Sequence, residues 1–337
     1  MKIRAIYYSS LLICATIIIF AACGSKDEAI FKLTESQRAR DYAYAVNRQA
    51  FDKVESMNFD KYGNLYILDT GKLAVQKFDS SGTFIKTIVE GGEGFGSIYK
   101  PCSVNLRDSL LFVHNVNALA YYDLNGRYKD IYAVSGRADI VVSEDSMIIV
   151  NRMSDAFQYK KCLFIYNKAG NLVSNIIPTR SKAFRRMEAD FAFVGALSGR
   201  RFVYVPALLD SIFLYDYNGN ILKAAYLRHT FQKNKLDADS LMFEIEDIFV
   251  QDDKIYLLRV ERETSTDQLI YVKRIELYDA NLRLNRIYEL PHAITMTVNS
   301  SPWALAYHKF LVRDNMFIFM VSKPQEHLAA FEPEQPL

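Results

Sequence analysis

The sequence has almost no net charge to offer a partner. Its 337 residues carry 41 Lys and Arg against 39 Asp and Glu, a formal +2. That small excess disappears if Lys2 and Arg4 leave with an N-terminal leader. A near-neutral chain lacks the basic footprint that nucleic-acid binding requires. Catalytic signatures are missing as well. There is no G-x-S-x-G elbow and no H-E-x-x-H pair, and the five histidines, His114, His229, His292, His308 and His327, are scattered without ligand spacing. They read as loop or strand-end residues; a Ser-His-Asp triad stays open only because its members need not be neighbours in sequence. Gly91, Gly92, Gly94 and Gly96 do not fit the dinucleotide pattern, and no Walker lysine follows them. They read instead as a permissive turn. Tryptophan occurs once, as Trp303 beside Pro302 in a long connection, where it is a candidate contact residue.

What the sequence does have begins with an address. Lys2 and Arg4 form a basic start, an apolar run follows from Ala5 to Phe20, and small residues lead into Cys23. These are the n-, h- and cleavage regions of a secretory leader. The run is nearly as long as a spanning helix, about 18 to 20 residues, so an uncleaved anchor is the alternative. Both readings put the body of the protein outside the cytoplasm.

The stretch Phe20-Ala21-Ala22-Cys23 resembles a bacterial lipobox. That resemblance implies cleavage before Cys23 and a diacylglycerol on its thiol. The following Gly24-Ser25-Lys26-Asp27-Glu28 resembles the export signal of surface lipoproteins in Bacteroidota-type bacteria; its plainer reading is a solvated tether. The location implied is the outer membrane, periplasmic or surface-exposed. With Cys14 in the leader and Cys23 lipidated, Cys102 and Cys162 remain. They are expected in different sheets as two separate buried thiols, since sequence alone does not bring two strand residues within bridging distance.

Six copies of one pattern dominate the rest: VQKFDSSG from Val75, LAYYDLNG from Leu119, LFIYNKAG from Leu163, IFLYDYNG from Ile212, RIELYDANL from Arg274 and LAAFEPEQP from Leu328. The turn opens on Asp79, Asp123, Asn167, Asp216 and Asp279, with Glu332 in the sixth place. A strand-only repeat of about 40 to 50 residues marks a β-propeller blade. Each copy is preceded by a strand such as LYILD, LLFV, MIIV, FVYV, IYLL or FIFM and followed by another such as TFIKTI, RYKDIY, LVSNII, ILKAAYL or RLNRIYEL. All show period-2 alternation. The fold expected is all-β, a six-bladed propeller of four-stranded antiparallel blades. Approximate blades are 53–90, 100–133, 137–178, 190–228, 243–291 and 306–337, after a leader at 1–22 and a tether at 23–29. The sixth repeat ends before its fourth strand, and an open edge invites wrong pairing. A segment within Ile30 to Glu35 is expected to close the ring, with Ser36 to Asp52 leading into the first blade.

Connections fall into two classes. Those joining first to second and third to fourth strands are short, whereas Gly91–Lys100, Asn151–Lys160, Pro178–Asp190, Arg228–Met242, Glu261–Gln268 and Pro291–Ala306 are long. In a meander the two classes emerge on opposite faces, and long connections are usually functional.

The segment GGEGFGSIYKPCSV, with Gly-Asn-LYILD and VQKFD-SSG before it, resembles the blade junction of NHL-repeat propellers. With its leader, the chain resembles the NHL-like or TolB-like six-bladed propeller lipoproteins of Bacteroidota. The match is good from Met57 to Tyr132; later copies keep only the aromatic-Asp turn and the alternation. The resemblance implies a scaffold and a location rather than a reaction. Some six-bladed propellers are metal-dependent lactonases or esterases with a cation on the axis, and by that resemblance Glu55, Asp139, Asp190, Glu246 and His308, near the starts of innermost strands, are the candidate ligands. Oxygen donors of this kind would suit Ca²⁺; otherwise they are solvated carboxylates of a channel mouth.

Basic residues gather in two long connections, Arg180, Lys182, Arg185 and Arg186, then Arg228, His229, Lys233 and Lys235. Arg152, Arg185, Arg186, Arg228 and Trp303 are the candidate ligand contacts, for an acidic glycan or a partner protein. The alternative is a solvated surface balanced by Glu188, Asp190, Asp237 and Asp239. The sequence thus favours a membrane-tethered binding module over a metal-assisted hydrolase or an accessory subunit of an outer-membrane uptake complex. It does not name the ligand.

Overall fold

A computed structural model describes residues 30–92, 96–116, 118–133, 138–143, 148–152, 163–167, 171–176, 192–206, 211–227, 244–265, 268–291, 294–297, 307–321 and 327–334. It is an all-β architecture of antiparallel sheets. The first set is β2 (Val54–Phe59), β3 (Leu65–Asp69), β4 (Ala74–Phe78) and β5 (Phe84–Glu90). The second is β6 (Pro101–Arg107), β7 (Leu110–Asn115), β8 (Ala118–Asp123) and β9 (Tyr128–Ala133). The third is β10 (Ala138–Val142), β11 (Ile148–Arg152), β12 (Leu163–Tyr166) and β13 (Leu172–Ile176), and the fourth β14 (Ala192–Leu197), β15 (Arg201–Pro206), β16 (Ser211–Asp216) and β17 (Ile221–Tyr226). In each, strands pair in sequence order.

The fifth set, β18 (Glu244–Gln251), β19 (Lys254–Ser265), β20 (Gln268–Tyr278) and β21 (Leu284–Glu289), is joined to the sixth, β23 (Tyr307–Arg313), β24 (Met316–Val321) and β25 (His327–Pro333), through β1 (Ile30–Thr34). Ile30, Phe31 and Lys32 run parallel to β21, and Leu33 and Thr34 antiparallel to β25.

Turn chemistry explains the short connections. Asp252 and Asp253 have φ of 49° and 57°, and Asp314 and Asn315 have 49° and 62°, the paired positive values of the tightest hairpins. In the aromatic-Asp turns, Oδ1 of Asp79, Asp123, Asp216 and Asp279 accepts the backbone N–H groups two and four residues on. Gly82, Gly126 and Gly219 supply the left-handed residue; Leu282 takes that place in the fifth copy, at φ 58°. The sixth place differs, because Glu332 lies within β25 and pairs with Arg38 at 2.5 Å.

The core is divided among the gaps between neighbouring sets. Val75, Val104 and Tyr122 pack between the first two; Phe112 and Val142 between the second and third; Ile165, Val194 and Phe202 between the third and fourth. Val203, Leu214, Ile255 and Tyr278 fill the next gap, and Leu33, Tyr288, Phe317 and Phe331 the one between the fifth and sixth. A last cluster, with Phe78, Ile67, Ile318 and Met320, joins the sixth set back to the first. First strands contact one another in the same cyclic order, β2, β6, β10, β14, β18, β23 and back to β2.

Four sequence expectations need correction. Residues 37–47 are not a plain lead-in but a helix, α1 (Gln37–Asn47), capped by Ser36 Oγ accepting from Ala39 N–H. Its Ala39, Tyr42 and Val46 recur at helical spacing and are buried in that last cluster. The connection from Glu261 to Gln268 is mostly strand, because β19 and β20 extend as a hairpin paired from Ile255 and Tyr278 out to Ser265 and Gln268. In the following connection, β22 (Ile294–Thr297) adds to β20. Cys102 is half-buried rather than buried, and not in a disulfide; Cys162 lies outside the described residues.

Candidate functional site at the starts of the first strands

The first strands begin on the side where the long connections enter, and four of them begin irregularly. In β2, Val54 faces Asp69 and Ser56 faces Leu68, which leaves Glu55 as an extra residue. The same skip isolates Cys102 in β6, Glu246 in β18 and His308 in β23. β10 and β14 are uninterrupted. A bulge bends the strand and re-aims the extra side chain, and bulges recur beside binding sites. Three of the five residues expected around the axis, Glu55, Glu246 and His308, are therefore bulge residues. Asp139 is the second residue of β10, opposite Asn151.

The residue after a bulge ties neighbouring sets together. Ser56 Oγ accepts the Val104 N–H at 3.1 Å and donates to the Val104 carbonyl at 3.3 Å, joining β2 to β6. Asp247 does the same between β18 and β23: Oδ2 accepts the Phe310 N–H at 3.1 Å, and Oδ1 lies 3.2 Å from Lys309 Nζ. Burial pushes the Asp247 carboxyl up, while Lys309 and the Phe310 N–H pull it down without cancelling the burial. Ser103, after the Cys102 bulge, borders the unbulged β10, and its buried hydroxyl has no partner among the described residues.

Charge concentrates in the fifth set. Glu246 Oε2 lies 2.5 Å from Nζ of the buried Lys273. Arg259 and Glu276, both 1% exposed, form an ion pair, and Tyr278 donates its hydroxyl to Glu276 at 2.6 Å. Arg259 stands opposite Arg274, and Arg274 opposite Glu289. Facing like charges destabilise a ladder, and Glu276 offsets the Arg259 charge here. A buried ion pair contributes little net stability against an apolar replacement. The pair joins β19 to β20 within the hairpin. Arg259, Lys273, Arg274 and Glu276 were missed in the sequence, although charges two apart, at Arg259, Glu261 and Glu263 and again at Arg274 and Glu276, were the available signal.

The remaining candidates are less connected. Glu55 Oε2 is 3.4 Å from an exposed Lys53, a geometry of small energetic weight. Arg152 ends β11 opposite Ala138 instead of lying in a loop. Cys23, Arg185, Arg186, Asp190, Arg228 and Trp303 lie outside the described residues. Among the described residues no group of three His, Cys, Asp or Glu could hold a metal ion, and no helix is long and apolar enough to cross a membrane.

No family model matches this chain, and no curated protein matches its sequence. Solved structures do share its fold. A member of the DUF4221 family from Bacteroides vulgatus superposes with a TM-score of 0.56 at 12% identity, covering 86% of this chain and 95% of that one. A putative exported protein from Bacteroides fragilis gives 0.53 at 11%, covering 90% and 94%. Both neighbours come from Bacteroides, in agreement with the resemblance to Bacteroidota propeller proteins that the repeat carries.

Proposed function

We propose that this chain is an exported, lipid-anchored six-bladed β-propeller that binds a protein or glycan ligand on the face where its first strands begin. The leader is 1–22, the tether 23–29 and the propeller 30–337, with β1 and α1 completing the last blade. Export is in keeping with the description of the Bacteroides fragilis neighbour, and anchoring at the outer membrane rests on Cys23.

The observation that carries the binding role is the set of bulges at Glu55, Cys102, Glu246 and His308. Regular strands would stabilise the disc better; breaking four of them at one level makes sense if side chains must point into a site. The opposite face is closed by tight turns that leave little room. Binding is favoured over metal-assisted hydrolysis because Glu246 is already committed to Lys273, and Glu55 lies beside Lys53.

Hydrogen exchange of the intact protein with and without purified envelope polysaccharide or outer-membrane protein fractions tests this. Protection is expected at 54–57, 101–104, 244–247 and along the β19–β20 hairpin. Protection confined to the turns at Asp79, Asp123 and Asp216 would place the ligand on the wrong face and end the proposal.

A further inference from the structure

The seam strand β1 stands close, along the chain, to the proposed lipid. Six residues, Gly24 to Ala29, separate Cys23 from Ile30. Fully extended, the seven steps from Cys23 to Ile30 reach about 25 Å at roughly 3.5 Å each. A compact body of about 300 residues has a radius of gyration near 19 Å, hence is roughly 50 Å across. The tether is shorter than the molecule, so only the rim around β1 can reach the bilayer.

That rim has a composition suited to it. Arg286 stacks over Phe31 at 5.2 Å, linking β21 to β1. Lys223 Nζ donates to the Asn281 carbonyl at 2.5 Å, linking β17 to the turn before β21. Along this continuous band Ile30 is 51% exposed, Leu222 49% and Tyr226 86%, with Ile221 exposed beside them. Lys32, Lys223, Arg283 and Arg286 are exposed among them, against the half-buried Glu289, an Asp279 engaged in its own turn, and the exposed Glu35 and Glu334 at the end of β1. Exposed apolar side chains alone would decide nothing, since β13 also exposes Leu172 and Val173. The covalent reach decides which rim meets the lipid.

We propose that the rim from β17 to β1 lies on the bilayer that holds the Cys23 lipid, its cations against anionic headgroups and Tyr226 at the headgroup level, where Tyr is favoured. This rests on the lipid anchor proposed above. It turns the disc edge-on, so that the bulged face looks along the membrane and stays open to a ligand.

The test uses the lipidated full chain in vesicles of anionic phospholipid containing a headgroup-nitroxide lipid. In a Trp303→Phe background, a tryptophan is introduced at Tyr226→Trp or, on the outer strand of the second set, at Ile131→Trp. Quenching at least twofold stronger at 226 than at 131 is expected. Equal or reversed quenching, in a protein that still partitions with the vesicles, overturns the rim assignment alone. Partition that is unchanged in Cys23→Ala overturns the anchor and the rim together, before any quenching is measured.

Discussion

The Asp that opens each third-to-fourth-strand turn shows what one side chain does here. Slight burial pushes the Asp79 carboxyl up, but the Ser81 hydroxyl and the N–H groups of Thr83 and Ser81 together outweigh it and hold it below the usual carboxylate range. Asp123 and Asp216 follow the same balance. A folded-state value below the unfolded one gives stability that is present above about pH 4 and lost as pH falls through the lowered values. The third copy is an internal control: Asn167 accepts the Asn171 N–H at 2.9 Å with no charge at all. The combined Asp79→Asn, Asp123→Asn and Asp216→Asn protein should therefore melt below the wild-type temperature at neutral pH, and the gap should narrow between pH 5 and pH 3. Thermal melts across that range check it; an identical acid limb would mean that other carboxylates carry the acid sensitivity. The opposing group is Asp247, whose raised value contributes stability at low pH that is lost as pH rises through it. These turns were legible because a local hydrogen-bond pattern needs only a local sequence.

At the scale of elements, the outer edge of β25 is the weak point. β1 pairs with only Leu33 and Thr34 there. Farther along, Asn47 at the end of α1 stands in for a strand: its Nδ2 donates to the Leu328 carbonyl at 2.8 Å and its Oδ1 accepts the Leu328 N–H at 2.7 Å. One amide thus satisfies both backbone groups of a residue 1% exposed. Asn47→Ala leaves them without partners, at a cost of about 1 to 3 kcal/mol. The urea midpoint should fall accordingly, with an unchanged slope; no fall would mean that water reaches this edge. The helix was readable from Ser36 and the spacing of Ala39, Tyr42 and Val46, but a strand-only repeat directs attention away from it. The bulges were not readable, because an extra residue in a strand shows only against the register of its partner.

For the molecule as a whole, stability is shared among the apolar clusters between neighbouring sets, and the one between the fifth and sixth sets includes the N-terminal strand. Leu33 is buried there among Tyr288, Phe317 and Phe331. Leu33→Ala should cost about 2 to 5 kcal/mol, the range for a buried leucine. If β1 holds the seam as proposed, hydrogen exchange should quicken in β21 and β25 while β7 and β8 stay protected. Uniform acceleration would show instead that the cycle opens as one unit. The sequence by itself determined the sheet content, the repeat and its tight turns, since alternation, Asx turns and glycine placement are properties of a few consecutive residues. The tertiary structure alone decided that Glu55, Cys102, Glu246 and His308 share one structural feature, that buried charge gathers in the fifth set, and that β1 divides its pairing between β21 and β25. Those relations join residues up to about 300 positions apart, and no local pattern records which distant strand a residue will face.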